Sequence, residues 1–148
     1  MAETDIETLI EDFAFLDDWE DRYRYVIELG RALPAFAGTD RIDARKVQGC
    51  ASQVWLKVEP RTRTGDGQMV LDITGDSDAH IVRGLIAILL AIYSGRTPDE
   101  ILAADSGGVF ARIGLDDHLT PQRSNGLQSM VARIREYAAA AAAAKVAG

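Results

Sequence analysis

The chain has 148 residues, of which 47% are hydrophobic and 26% charged, and its formal net charge is −7 at pH 7. These values are typical of one globular domain, here residues 1–148, and the acidic balance argues against general nucleic-acid binding. A single cysteine excludes an internal disulfide and a multi-cysteine metal site. We see no signal peptide and no apolar run long enough for a membrane span, so we expect a cytoplasmic protein that does not enter the membrane.

Apolar residues at helical spacing predict two helices in the first third of the chain. The first is expected over residues 3–14, and the second from Asp17 or Asp18, either of which can act as its cap, to about residue 30. The two should form a helical hairpin. The inward side of the second helix is expected to consist of Trp19, Tyr23, Val26 and Ile27. We interpret the two aromatic residues as core rather than as a binding site.

Alternation of apolar and polar residues predicts two antiparallel strands. They are expected over residues 52–58 and 69–74, joined by a hairpin loop over residues 60–67 that is rich in turn formers. A third strand near residues 45–47 would stabilise the sheet further. The segment 75–78, Gly-Asp-Ser-Asp, is expected to end the sheet and to cap the next helix.

Residues 79–93 are apolar almost all round, which predicts a buried central helix lying across the face of the sheet. Thr97 to Glu100 reads as a capping box with proline at the first helical position, and it opens a short helix that ends before Gly107. Another helical turn is expected over residues 109–113, and a last helix from residues 119–122 with a threonine cap.

Asn125-Gly126 is an unfavourable pair inside that last helix, since it costs about 1–1.5 kcal/mol relative to alanines. Close approach of another element to a residue without a side chain would explain the pair. Access for a partner near Arg123 would explain it as well, and we favour the packing explanation.

The only cysteine, Cys50, follows Gly49, which can adopt backbone conformations closed to other residues. A loop tip carried by a strand is a usual place for a reactive side chain, although a lone cysteine is more often a small buried hydrophobe. Nearby cations would lower the pKa of the thiol, and burial would raise it. We expect burial to dominate while the loop is closed. The cations and the polar neighbours are Arg41, Arg45, Lys46, Gln48, Ser52 and Gln53.

Other chemistry is poorly supported. A Cys–His nucleophile pair could use His80 or His118, but nothing in the sequence brings either histidine to Cys50. The same residues lack typical metal-ligand spacing, so we expect no metal site. Gly107-Gly108 lacks the lysine and the preceding strand of a phosphate-binding loop.

The cysteine segment VQGCASQVW resembles the signature of the SufE/CsdE family of sulfur acceptors for cysteine desulfurases. The resemblance extends over nearly the whole chain, and only the alanine-rich end departs from it. The matching segments, with their numbers, are WEDRY (19–23), IELG (27–30), LP (33–34), VQGCASQVW (47–55), GDSDA (75–79), IVRGLIA (81–87) and HLTPQRSNGL (118–127).

The resemblance implies an α+β fold similar to IscU-type iron–sulfur scaffolds, with a small antiparallel sheet packed with helices. It implies that Cys50 accepts persulfide sulfur from a desulfurase that uses PLP, stimulates that enzyme, and passes the sulfur to an iron–sulfur assembly scaffold. Gly49 and Gln53 would belong to the cysteine loop, and Asp78 and Arg123 would lie near this loop or the partner surface. The chain itself would need no cofactor and would not be a stand-alone enzyme.

Several alternatives stay open. The chain could be a scaffold or regulatory module that binds the desulfurase while Cys50 is structural, and a thiol hydrolase is a third class. The sequence does not distinguish a Suf-type from a Csd-type desulfurase, and it leaves homodimerisation open.

Overall fold

The computed structural model describes residues 6–50, 52–115 and 118–147. These ranges hold helices packed with a two-stranded antiparallel sheet, so the expected α+β class is confirmed. The elements are α1 Ile6–Ala14, α2 Trp19–Arg31, β1 Val54–Thr62, β2 Met69–Ser77, α3 His80–Tyr93, α4 Pro98–Ala103, α5 Ser106–Arg112 and α6 Pro121–Ala147. Two single 3-10 turns, Gly38–Asp40 and Asp43–Arg45, lie between α2 and β1.

The first two helices form where they were expected. The predicted start of α1 at residues 3–5 lies outside the described residues. Asp18 is the cap of α2, and its carboxylate accepts a hydrogen bond of 2.9 Å from the backbone N–H of Asp21. The prediction that Tyr23 belongs to the core is wrong, because its side chain is 45% exposed. Trp19 is half-buried, and the buried residues of α2 are Val26 and Gly30.

The sheet is longer than the sequence pattern indicated. Its pairing runs from Val54 opposite Ser77 to Thr62 opposite Met69. The segment 60–62, expected in the loop, is strand, and Pro60 is tolerated because the sheet has only two strands and β1 lies at its edge. The expected third strand is reduced to a single bridge between Lys46 and Trp55.

The expectation that residues 75–78 end the sheet is also wrong, since β2 continues through Ser77. Gly75 is a packing residue here, not a turn former. A Cβ atom on it would lie 2.9 Å from Leu56 Cδ2 and 3.0 Å from Ile86 Cγ2. The cap of α3 is Ala79, which makes no side-chain cap bond.

Helix α3 is the buried central helix that its composition predicts. It packs against α2 and β2, and it also touches α1 and α6. The helices α2 and α3 meet at two glycines, where a Cβ on Gly84 would lie 2.1 Å from Val26 O and a Cβ on Gly30 would lie 2.7 Å from Gly84 N. Only residues without side chains allow the two backbones to approach so closely.

Helices α4 and α6 begin at their predicted caps, whereas α5 begins at Ser106, capped by Asp105, and not at the helical turn expected from residue 109. Thr97 and Glu100 form the capping box of α4, with reciprocal bonds of 3.1 and 2.8 Å. The Thr120 hydroxyl accepts a 3.2 Å bond from the backbone N–H of Arg123 at the start of α6. Among the helices of the described residues, none combines the length and hydropathy that crossing a membrane requires.

The α2–α3 contact predicts a large difference between two glycine substitutions. Gly84→Ala should lower the free energy of unfolding by about 1–3 kcal/mol or more, because the new Cβ meets backbone that cannot rotate away. Gly38→Ala is the control, since its Cβ would meet nothing within 4 Å. Urea unfolding of both variants measures the difference, and similar stabilities would show that the close helix contact is not required.

Candidate functional site

Cys50 lies in a loop that is closed at its base by the sheet. The backbone N–H of Val47 donates a 2.8 Å bond to Val54 O, and the Lys46–Trp55 bridge lies directly outside it. We call residues 47–54 the cysteine loop. Because its two ends are joined at the start of β1, its tip is held close to the sheet.

Gly49 is required at its position for two reasons. Its φ is +89°, in the left-handed region that disfavours side chains, and a Cβ there would lie 2.6 Å from Ser129 Oγ on α6. The Ser129 hydroxyl is itself fixed, since it donates a 3.1 Å bond to Asn125 O. The glycine therefore lets the cysteine loop lie directly on α6.

The thiol itself contacts the glycine of the Asn125-Gly126 pair. Cys50 Sγ is 3.5 Å from Gly126 O, to which it donates a weak hydrogen bond, and a Cβ on Gly126 would lie 3.4 Å from the sulfur. Gly126 is buried under the loop. At these distances an alanine side chain would make ordinary contact, so the cysteine loop is the neighbour of Gly126 but does not by itself require a glycine there.

A cavity of about 230 Å³ opens beside the thiol. Its buried apolar wall includes Val82, Leu85 and Met130, and its polar wall includes Arg123. The cavity therefore joins the cysteine to the start of α6, as the resemblance implied for Arg123. The other lining residues are Ser52, Val54, Thr120, Gln122 and Gly126.

Asp78 holds the C-terminal side of the loop. Its carboxylate accepts a 3.0 Å bond from the Gln53 N–H, and its own N–H donates to Gln53 O at 3.3 Å. Both residues are exposed, so water can compete for these bonds. This reciprocal pair places Gln53 and Asp78 at the cysteine loop.

Burial, and not the nearby cations, determines the direction in which the pKa of the Cys50 thiol is shifted. Burial raises the pKa of the Cys50 thiol, in the direction expected for a closed loop. Arg41 forms an ion pair with Asp76, and Arg45 Nη1 lies 3.3 Å from Asp40 Oδ1. Their charges are thus engaged by carboxylates away from the sulfur.

Neither histidine lines the cavity beside Cys50. His118 stacks on Trp19 with ring centres 3.5 Å apart, and His80 is exposed at the start of α3. Within residues 6–50, 52–115 and 118–147, no group of three or more His, Cys, Asp or Glu side chains is arranged to hold a metal ion. Within the described residues, neither histidine is therefore placed beside the thiol.

Three residues around the site, Ser129, Met130 and Asp76, were not assigned to it from the sequence. Ser129 and Met130 lie in α6, where helical spacing shows which face is inward but not that a distant loop lies on it. In the sequence, Asp76 belongs to the segment that is expected to end the sheet and to cap the next helix. The sequence does not show that Asp76 is buried at the end of β2 beside two arginines.

Comparisons with known proteins cover almost the whole chain. The SufE family, described as an Fe-S metabolism associated domain, matches residues 7–138. An uncharacterized SufE-like protein of Rhizobium etli is 57% identical over 140 residues, covering 94% of this chain and 93% of its own length. A second uncharacterized SufE-like protein, of Rhizobium meliloti, is 54% identical over 136 residues, covering 91% of this chain and 95% of its own length. The solution structure of a hypothetical protein from Thermus thermophilus matches the fold with a TM-score of 0.71 at 19% identity, covering 97% of this chain and 99% of that one.

The raised pKa of Cys50 predicts a pH dependence. The thiolate absorbance, taken as the difference between native protein and Cys50→Ser, should titrate at higher pH than that of a cysteine peptide. A folded-state pKa above the unfolded value of about 8.5 also means that the stability from the half-buried thiol is present below that pH and is lost as the pH rises through the folded-state pKa. A midpoint at or below that of the peptide would contradict the burial of the thiol.

Proposed function

This chain belongs to the SufE family, whose domain is associated with Fe–S metabolism, and from that membership we propose that Cys50 accepts persulfide sulfur from a PLP-dependent cysteine desulfurase. In doing so it stimulates the desulfurase, and it passes the sulfur on to iron–sulfur cluster assembly in the cytoplasm. The observation that carries the proposal is the placement of a lone thiol on a glycine-tipped loop beside a partly apolar cavity.

The transfer is an exchange reaction of the thiol–disulfide kind. The Cys50 thiolate attacks the terminal sulfur of the donor persulfide, a new S–S bond forms on Cys50, and the donor cysteine leaves as a thiolate. No oxidant is needed, because the sulfur–sulfur bond is carried over. A second thiol on the acceptor would resolve the persulfide into a disulfide, so the single cysteine of this chain suits a carrier.

The cavity supports the carrier role. A persulfide survives only if it is kept from other thiols and oxidants. The volume of about 230 Å³ beside Cys50 exceeds the ~30 Å³ that one water takes up in the liquid, so it has room for one more sulfur atom. The apolar wall of Val82, Leu85 and Met130 would keep that sulfur out of water.

To accept or donate sulfur, Cys50 must leave the sheltered position beside the cavity. The cysteine loop then extends into the partner protein. Burying a group the size of this thiol is worth roughly 1–2 kcal/mol, so an extended loop would hold about 3–15% of the free molecules if burial alone set the balance. A desulfurase that binds the extended form could supply this difference with a few contacts. Leaving the cavity would also remove the burial that raises the pKa of the thiol.

The first test is the covalent product. After incubation with a PLP-dependent cysteine desulfurase and L-cysteine, we expect intact-mass measurement to show the protein one sulfur atom heavier, with dithiothreitol removing the addition. Cys50→Ser is the control, and it should fold normally because the side-chain volume is nearly unchanged. If the native protein gained no sulfur, or the variant gained the same mass, acceptance at Cys50 would be wrong. A native protein that stimulated the desulfurase without gaining sulfur would favour the regulatory alternative.

The second test concerns Arg123, which lines the cavity at the start of α6. Arg123→Ala should reduce stimulation of the desulfurase at subsaturating concentrations while changing the free energy of unfolding by less than about 0.5 kcal/mol. Arg31→Ala is the matched control, because Arg31 is an exposed helical arginine that does not line the cavity. Equal turnover with Arg123→Ala and native protein would dismiss Arg123 as a surface charge.

A further inference from the structure

Asp76 is the only carboxylate buried among the described residues, and its residue exposure is 5%. It lies on β2 directly opposite Trp55 of β1. Its partners come from two different parts of the chain, since Arg41 forms an ion pair with Oδ2 and Arg83 Nε of α3 lies 3.1 Å from Oδ1. The backbone N–H of Ser77 adds a 2.8 Å bond to Oδ1.

Arg41 belongs to the segment that leads into the cysteine loop. We call residues 41–46 the entry arm. The arm is held at both ends, because Arg41 is paired with Asp76 at one end and Lys46 is bridged to Trp55 at the other. The guanidinium carbon of Arg41 also lies 5.8 Å from the centre of the Trp55 ring, within the range of a cation–π contact.

We propose that Asp76 is a positioning residue, which acts through Arg41 to fix the entry arm and thereby keeps the cysteine loop closed with Cys50 on Gly126. The buried carboxylate cannot shift toward solvent to follow a moving arm, so opening of the arm breaks the pair. Nothing in this geometry requires Asp76 to touch sulfur. The inference rests on the proposed function for its biological meaning, but the closed loop is measurable without a desulfurase.

Two simpler roles for Arg41 predict different behaviour. If Arg41 acted on Cys50 through its charge, its removal would disfavour the thiolate and slow alkylation of the thiol. Arg41 donates a hydrogen bond to the Asp76 carboxylate, and Arg83 Nε lies near it without a hydrogen bond. If the Asp76 cluster served stability alone, alkylation of Cys50 in each variant would rise only as far as its unfolding constant does. Positioning through the entry arm predicts faster alkylation for the loss of Arg41 only.

The experiment compares Arg41→Gln with Arg83→Gln. Iodoacetamide alkylation of Cys50 is followed by mass spectrometry in native buffer, and the unfolding equilibrium of each variant is measured with urea. We expect Arg41→Gln to react about three- to tenfold faster than native protein, in line with a modest shift of the loop equilibrium. Arg83→Gln should react within about twofold of native protein, because α3 carries no part of the loop.

Three results would overturn the proposal. They are alkylation of Arg41→Gln at or below the native rate, equal acceleration in both variants, and acceleration that simply follows the change in the unfolding constant. Asp76→Asn gives a further check, since it should accelerate alkylation at least as much as Arg41→Gln. Sulfur acceptance at Cys50 could fail while these rates behave as expected, or succeed while they do not, so the two claims are tested separately.

Discussion

The structure depends on the burial of one helix. Helix α3 is apolar almost all round, so water must be excluded from every side of it. The chain meets this constraint by packing α2 and β2 closely on it and by bringing α1 and α6 against its remaining surface. Glycines stand where the contact is tightest, as at Gly84 under Val26 and Gly75 beside Ile86. A bulkier residue at these points would separate α3 from its cover and open the core.

The cysteine site is a consequence of that arrangement. The start of β1, the end of β2 and the start of α6 lie near the N-terminal part of α3. There, Val82 and Leu85 form the floor of a cavity. The cysteine loop spans the gap between the sheet and α6. It can lie on α6 because Gly49 adopts φ +89° and has no Cβ to meet Ser129 Oγ. Opening of the loop at Cys50 would break only a weak bond from the thiol to Gly126 O, while the reciprocal bonds between Gln53 and Asp78 hold its C-terminal side.

Local chemistry was predictable from the sequence, and long-range burial was not. The capping box at Thr97, the cap at Thr120 and the buried nature of α3 follow from residue types at fixed spacing, and each was confirmed. The errors over residues 60–62 and 75–77 have one physical cause: a composition typical of loops and caps was overridden by pairing and packing. Residues 75–77 look like a turn but are strand, because Gly75 fits under α3 and Asp76 finds two arginines. Tyr23 has the spacing of a core residue, but nothing in the sequence shows that its face of α2 is left uncovered.

The proposed carrier role requires that Cys50 is sheltered in the free protein and exposed when its partner docks. The most direct measurement is the rate of alkylation of Cys50 by iodoacetamide with and without a cysteine desulfurase that has no substrate. We expect the free protein to react more slowly than a cysteine peptide at the same pH, and the added desulfurase to increase the rate. A free protein that reacts as fast as the peptide would contradict this role for the loop, because Cys50 would then be exposed without a partner.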